Sequence, residues 1–371
     1  MKIVFIGGRD IHAIGGIESY MYNLTVELVK LGHHPIVFCE SDHNSTVIEN
    51  GVKIIYQKGP KSNLICKPLL GLLATLRTIF GERDVSLIHY NAWPPSLWSW
   101  LPRLLGTPSL MQGHGLEWQR SKYSPKQQRL MLFMEKITAH LNQHLIMCSK
   151  AQTDYFRKRY GKEAFTIPTA VNLPKESENV ASDILTRFNL TQRGYYLFIG
   201  RLVKDKNPDC LIRAYKESQS NKKKLVIAGD NKSQPKYMEE LHDLAVGNDN
   251  IIFTGAVYGN DKEILLSNAY CFCIPSTIEG LSIALLEAMA HRLPIIASDI
   301  EGNQEVLNGE DAVWCRAEDV QSLRDAIEFM DACPSGLSDM VRRNYEKVKT
   351  HYTWDKVAER YLDYLYSIGC R

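Results

Sequence analysis

Residues Ser276–Asp299 read STIEGLSIALLEAMAHRLPIIASD. An apolar, strand-like run precedes the stretch at Tyr270–Ile274, and another closes it at Pro294–Ala297, with a helical nonapeptide between. Strand, helix and strand in that order make one parallel unit, so the sheet is covered by helices. Ser282–Ala290 is apolar on every side of a helical wheel except at Glu287, and such a helix is normally buried. A second acid, Glu279, stands beside Gly280 in the turn just before it. Burying an ionised carboxylate without partners costs several kcal/mol or more, so donors must await Glu287. They belong either to an internal salt bridge or to a ligand, such as the hydroxyl pair of a ribose. Gly280 lets the backbone bend close to a ligand, and the N–H groups of Leu281, Ser282 and Ile283 point at whatever anion lies there.

The same alternation runs outward. Tyr195–Ile199, Lys224–Ala228, Ile251–Phe253 and Ala312–Trp314 complete this series of strands. An earlier series comprises Lys2–Ile6, His34–Cys39, Val52–Tyr56, Val85–His89, Ser109–Met111, His144–Met147 and Phe165–Ile167, with an amphipathic helix at Gly16–Leu31. The pattern predicts two α/β domains, each a doubly wound parallel sheet. The first spans residues 1–172 and the second 195–353, joined by a linker at 173–194 that holds Pro174 and the polar stretch Lys175–Ser182. Residues 354–371 form a last helix whose Trp354, Val357, Tyr361 and Leu365 make one apolar stripe, expected to cover the first domain. Ligands of such sheets bind beyond the carboxyl ends of the strands.

At 371 residues, 44% hydrophobic and 23% charged, the composition is that of a soluble globular protein with room for two cores. The apolar N-terminal run is too short for a signal peptide. The longest uncharged stretch, Val85–Pro102, contains His89, Asn91 and three prolines and does not read as a spanning helix. Nine cysteines without a CxxC suit a reducing cytosol. The net charge of +2 hides an asymmetry. Residues 1–174 hold 20 Lys+Arg against 12 Asp+Glu, and residues 175–371 hold 24 against 30. The basic clusters Arg120–Tyr123 and Arg157–Tyr160 are either a solvated helix face or a surface for an anionic membrane or a diphosphate. No nucleic-acid-binding motif accompanies them, so nucleic acid is not an expected partner.

Three further stretches could carry chemistry. Gly15-Gly16-Ile17-Glu18 opens the first helix, where glycines admit a ligand and the helix start offers N–H groups to an anion, unless the pair is a plain turn. A dinucleotide fold would call for GxGxxG directly after the strand, which is missing, although Glu40 ends the second strand where a ribose ligand would sit. After the second domain's first strand, Arg201 and Lys206 bracket a loop that opens a helix at Pro208. The two cations suit phosphate oxygens or are surface charges. His114 stands between two glycines after SLMQG, either structural or facing a ligand.

Glu279 and Glu287, inside PSTIEGLSIALLEAMAHRLPIIASD, resemble the E-x7-E signature of retaining glycosyltransferases of family 4. These have the GT-B fold, two Rossmann-like domains facing each other across a cleft. The resemblance continues through GGIESYMYNL, GHGLEW, IPTAVN, FIGRLVKDKN, IIFTGAV and EGNQEVL. It implies that Gly15 and Gly16 approach the donor phosphates and that Arg201 and Lys206 neutralise the diphosphate leaving group. Glu279 then binds hydroxyls of the transferred sugar, while the backbone of Leu281 and Ser282, beside Gly280, takes the distal phosphate. Glu287 holds the ribose, Val257 lies near the base, and His114 contacts the donor sugar. The chain departs from the pattern in three places. Arg292-Leu293-Pro294 replaces Gly-x-Pro, Ala170 replaces a glycine, and Asp205-Lys206-Asn207 replaces the frequent EKG.

The implied reaction moves a glycosyl group from a nucleoside diphosphate sugar to a saccharide acceptor, with retention. No cofactor and no metal is expected, because Asp-x-Asp is missing and two cations serve the diphosphate. GHGLEWQRSKY resembles a segment of bacterial cell-surface rhamnosyltransferases. That implies dTDP-L-rhamnose as donor, with GDP-mannose or a UDP-hexose as alternatives. It also places Glu117, Trp118 and Arg120 at the acceptor or, equally, in a surface loop packed by Trp118. Acceptors of such enzymes are often lipid-linked saccharides, at the inner face of the cytoplasmic membrane, in cell-envelope polysaccharide synthesis. The helical stretch Lys67–Phe80, with Leu69, Leu72, Leu73 and Leu76 and with Lys61 and Arg77 near them, is either core or contacts that anionic membrane. Two competing readings are a non-hydrolysing sugar-nucleotide epimerase and an inactive nucleotide-sugar-binding protein.

Overall fold

A computed structural model describes residues 1–12, 15–59, 63–116, 118, 124–174, 183–219, 223–333 and 337–371, with the backbone alone for 63–65. The chain forms two compact units, Met1–Ala170 with Trp354–Arg371, and Val171–Thr353. Each is an α/β unit built on a mainly parallel sheet.

The first unit contains β1 Lys2–Gly8, β2 His34–Ser41, β3 Ser45–Glu49, β4 Val52–Lys58, β5 Leu87–Asn91, β6 Ser109–Gly113, β7 His144–Met147 and β8 Phe165–Thr166. Their order is β3-β4-β2-β1-β5-β6-β7-β8, parallel except that β3 runs antiparallel to β4. Ile3–Ile6, Ile36–Cys39 and Leu87–Asn91 are buried at every position, which only a sheet covered on both faces allows. The edge strand β3 escapes the apolar-run pattern because its middle residues are exposed. Its signal was Asn50-Gly51, at φ 48 and 79, a two-residue hairpin turn. The helix Trp354–Ser367 buries Trp354, Val357, Ala358, Tyr361 and Leu365 in one core with Phe5, Tyr20 and Leu24 of this unit.

The helix Asn63–Gly81 turns its small residues inward: Ala74, Thr75 and Thr78 are buried, and a Cβ on Gly71 would lie 2.7 Å from Pro95. Close packing of that small-residue side leaves Leu69, Leu73 and Phe80 exposed, so the first two are not core residues. Lys61 lies outside the described residues. Among the described residues, no helix is long and apolar enough to cross a membrane.

The second unit contains β9 Tyr195–Ile199, β10 Lys224–Ala228, β11 Ile251–Gly255, β12 Cys271–Ile274, β13 Ile295–Ser298 and β14 Val313–Cys315, ordered β11-β10-β9-β12-β13-β14 with parallel pairing. The chain enters at β9, builds outward to β11, then crosses to the other side of β9 at β12. The strand order thus reverses between β9 and β12, the place where open α/β sheets bind ligands. The loop with Arg201 and Lys206 follows β9, and the acid-bearing stretch follows β12. Ile184 and Leu190, in the segment read as linker, are buried in this unit's core with Tyr195 and Leu197. Ile184, Leu185 and Phe188 are spaced as on one face of a helix, but Ile184–Arg187 is a single turn, too short for the periodicity to stand out. Lys175–Ser182 lies outside the described residues.

Candidate active site

At the switch point of the second sheet, three loops are tied to one another. After β9, Lys204–Lys206 form a single 3-10 turn, and Asn207 follows in the left-handed region at φ 50. Asparagine tolerates that conformation better than most residues, which explains how DKN serves where EKG is frequent. Asn207 Nδ2 donates to the Pro275 carbonyl at 3.1 Å, and the Thr277 N–H donates to the Asp205 carbonyl at 2.9 Å. From the end of β13, Ser298 Oγ donates to the Ser276 carbonyl. Next to it, a Cβ on Gly302 would lie 2.3 Å from the Glu279 carbonyl oxygen, so only glycine lets this backbone back the acid-bearing turn.

Glu279 is held from two sides. Its Oε1 accepts from Lys206 Nζ and, at 2.7 Å, from Ser276 Oγ, leaving its side chain 7% exposed. The Arg201 side chain is exposed, with no ion pair or hydrogen bond among the described residues. The helix Ile283–Ala290 is capped by Ser282, whose Oγ accepts from the Leu285 N–H at 3.4 Å. Ahead of that cap the N–H groups of Leu281, Ser282 and Ile283 have no partner among the described residues. They are the bare donors of a first helical turn, beside one free and one paired cation.

The apolar helix is not buried all round. Leu285, Leu286, Ala288 and Met289 face the core, while Ile283, Ala284 and Glu287 share a partly exposed strip. Glu287 Oε1 accepts from Lys262 Nζ at 2.6 Å, with side-chain exposures of 18% and 24%. Glu287 therefore has an internal cation and an open side, which combines the two alternatives left by the sequence. Lys262, on the helix Gly259–Asn268, belonged to no recognisable motif; only the packing of this helix against Ile283–Ala290 reveals it. Ser276 and Gly302 were present in the quoted motifs without an assigned role. The Val257 side chain is buried in the core, while Tyr258 beside it is exposed.

In the first unit, Gly15 precedes the helix Gly16–Lys30 with an extended backbone. The room its missing Cβ leaves is taken by Glu18, whose Oε2 would lie 2.0 Å from such an atom. Glu18 is buried and accepts from the Arg9 N–H and Nε, both at 3.2 Å. The helix start thus holds an anion of the chain's own, and a phosphate at Gly15 and Gly16 would share it. His114 uses both ring nitrogens internally: Nε2 lies 3.1 Å from Asn91 Oδ1, and Nδ1 lies 3.6 Å from Cys148 Sγ. Burial, aided by the Lys67 ammonium, pushes its imidazole down to about 3, so the ring is neutral at working pH. Trp118 packs on Tyr155 at 6.1 Å between ring centres, with its indole N–H buried beside Glu135. Glu117 and Arg120 lie outside the described residues.

Two family descriptions divide the chain. "Glycosyltransferase Family 4" matches residues 14–175, and "Glycosyl transferases group 1" matches residues 186–347. An uncharacterized glycosyltransferase of Methanocaldococcus jannaschii is 32% identical over 44% of the chain and 42% of its own length. The O-antigen chain mannosyltransferase of Salmonella typhimurium is 27% identical over 56% of both. The matches thus span about half the length of these relatives. Sucrose-phosphate synthase from Thermosynechococcus elongatus superposes with a TM-score of 0.83 over 99% of each chain at 21% identity, which establishes the fold. Two doubly wound units, the site at the second sheet's switch point and both descriptions agree: the chain has the GT-B fold, with a Glycosyltransferase Family 4 match in residues 14–175 and a Glycosyl transferases group 1 match in residues 186–347.

Proposed function

We propose that this protein transfers a glycosyl group from a nucleoside diphosphate sugar to a saccharide hydroxyl, with retention and without a metal. The observation that carries this reading is the meeting of Lys206 and Glu279 at the switch point, just before the bare N–H groups of residues 281–283, with Arg201 in the same loop as Lys206. As the bond to the diphosphate breaks, negative charge grows on the phosphate oxygens. Lys206 and a helix start, already fixed by the loop hydrogen bonds, stabilise that charge without rearranging, and the unpaired Arg201 adds a second cation. Glu279 gives its second oxygen to sugar hydroxyls, Glu287 takes the ribose, and the Val257 backbone meets the base. Gly15 and Gly16 allow the phosphates to approach from the first unit, and the neutral His114 meets the donor sugar. The leaving phosphate takes the acceptor proton on the face from which the acceptor attacks.

For the donor, the likeness of GHGLEWQRSKY supports dTDP-L-rhamnose, while the likeness to the GDP-mannose-dependent mannosyltransferase of Mycolicibacterium smegmatis supports GDP-mannose. The acceptor is a lipid-linked saccharide, gathered with Glu117, Trp118 and Arg120 near it. Exposed Leu69, Leu73 and Phe80, beside exposed Trp100, Leu104 and Leu105, form an apolar face on the more basic half of the chain, which supports contact with an anionic membrane.

Calorimetric titration with dTDP-L-rhamnose, GDP-mannose and UDP-hexoses, with and without chelator, tests the donor. One of them is expected to bind in both conditions. Arg201→Ala and Lys206→Ala should slow transfer, and Glu287→Ala should weaken binding. Turnover of the donor without any acceptor would favour the epimerase instead, and unchanged nucleotide affinity in folded Glu287→Ala would remove the ribose assignment. Failure to float with anionic vesicles at low salt would remove the membrane contact.

A further inference from the structure

One face of the first sheet, beneath the helices Gly16–Lys30 and Trp354–Ser367, carries a line of buried polar side chains. Tyr361 Oη lies 2.9 Å from His89 Nδ1. His89 Nε2 and Gln112 Oε1 are buried with no hydrogen-bond partner among the described residues. Gln112 Nε2 donates to Cys148 Sγ at 3.7 Å, and Cys148 Sγ lies 3.6 Å from His114 Nδ1. His114 Nε2 ends the line 3.1 Å from Asn91 Oδ1. Tyr361, His89, Gln112 and Asn91 are fully buried, and Cys148 is buried. The edge of Tyr20 packs against the His114 ring at 5.2 Å between centres.

The donors and acceptors sort in one direction. Burial keeps both imidazoles neutral, so each has a single N–H. His114 spends its proton on Asn91 Oδ1, which leaves Nδ1 bare. Burial pushes the Cys148 thiol up to about 12, so it keeps a proton to give to that nitrogen. The Cys148 sulfur accepts from Gln112, and apart from this line His89 Nδ1 lies against the Tyr361 hydroxyl. The opposite direction would need both amides turned over.

We propose that Gln112 and Cys148 are positioning residues for His114, forming a one-way hydrogen-bond chain that fixes its Nε2–H tautomer and its ring plane. The proposal rests on the reading of His114 at the donor sugar. Among the described residues nothing else bonds to Nδ1, so without the thiol the two tautomers compete and the ring is freer to turn.

Ring-nitrogen NMR of the full-length protein labelled with 15N-histidine tests the chain, with His114→Gln and His89→Gln assigning the signals. In the unmutated protein His114 should carry the proton on Nε2 throughout the neutral range. Cys148→Ala should move His114 to a tautomer mixture and lower kcat by about 10- to 100-fold, with KM for the nucleotide sugar unchanged. Cys148→Ser keeps a hydroxyl donor and should restore both. A proton on Nδ1 of His114, or His114 signals unmoved by Cys148→Ala, overturns the proposal, as does an unchanged kcat in that variant. A protein that binds no nucleotide sugar would fail the proposed function instead, and the tautomer signals would still decide the chain.

Discussion

Arg292 follows the apolar helix in the left-handed region at φ 56, where the family pattern has glycine. An L-residue there costs about 1–2 kcal/mol relative to a right-handed conformation. The Arg292 guanidinium stacks over Tyr345 at 4.0 Å and offsets part of that cost. Arg292→Ala keeps the strain and loses the stack, whereas Arg292→Gly loses the stack and relieves the strain. Denaturant unfolding should therefore find Arg292→Gly more stable than Arg292→Ala by about 1 kcal/mol. The two buried histidines lead to a pH prediction. Burial lowers His89 and His114 in the folded state, while unfolded histidine titrates near ~6.5. Below that value the unfolded chain binds more protons, so stability is complete above ~6.5 and falls as pH drops toward the folded values. Each histidine should contribute up to about 1.4 kcal/mol of loss per pH unit in that window, and His114→Gln should flatten the curve. The same neutrality means that the rate profile at neutral pH should show no limb from His114.

At the scale of elements, the site is a junction of three loops rather than a property of one helix. Lys204–Asn207, Pro275–Gly280 and Ser298–Gly302 are joined by four hydrogen bonds and one close backbone contact, so Glu279 and Lys206 meet before any donor arrives. Gly302 is the sensitive point. Adding a methyl group 2.3 Å from the Glu279 carbonyl must push the acid-bearing turn away from its partners. Gly302→Ala is expected to cost about 1–3 kcal/mol of stability and to weaken nucleotide-sugar binding together with it. Thermal shift with and without donor measures both, and a variant with native stability and native affinity would show that the turn has room to move.

For the whole molecule, the last helix belongs to the first unit although it follows the second in sequence. Trp354 is 4% exposed and packs edge-on against Tyr20 at 5.7 Å. Trp354→Ala removes a large buried side chain, at a cost of about 3–5 kcal/mol. Hydrogen exchange should show that loss in residues 1–170 and 354–371, with protection in 171–353 retained. Loss spread evenly over both units would mean that they unfold as one.

The sequence by itself determined most of the order of strands and helices in both halves, the edge strand Ser45–Glu49 and the short helix Ile184–Arg187 apart, because apolar runs of strand length and helical periodicity are local signals. It also marked the paired acids, the two cations and His114, through short motifs whose members are neighbours in the chain. Which alternatives those residues realise was decided by tertiary structure alone. Lys262 reaches Glu287, and Ser276 with Lys206 holds Glu279, across separations of 3 to 73 residues. The outward face of Leu69 and Leu73 likewise depends on which side of their helix packs more closely. Hydrogen bonds and packing join groups by distance in space, and a linear sequence contains only distance along the chain.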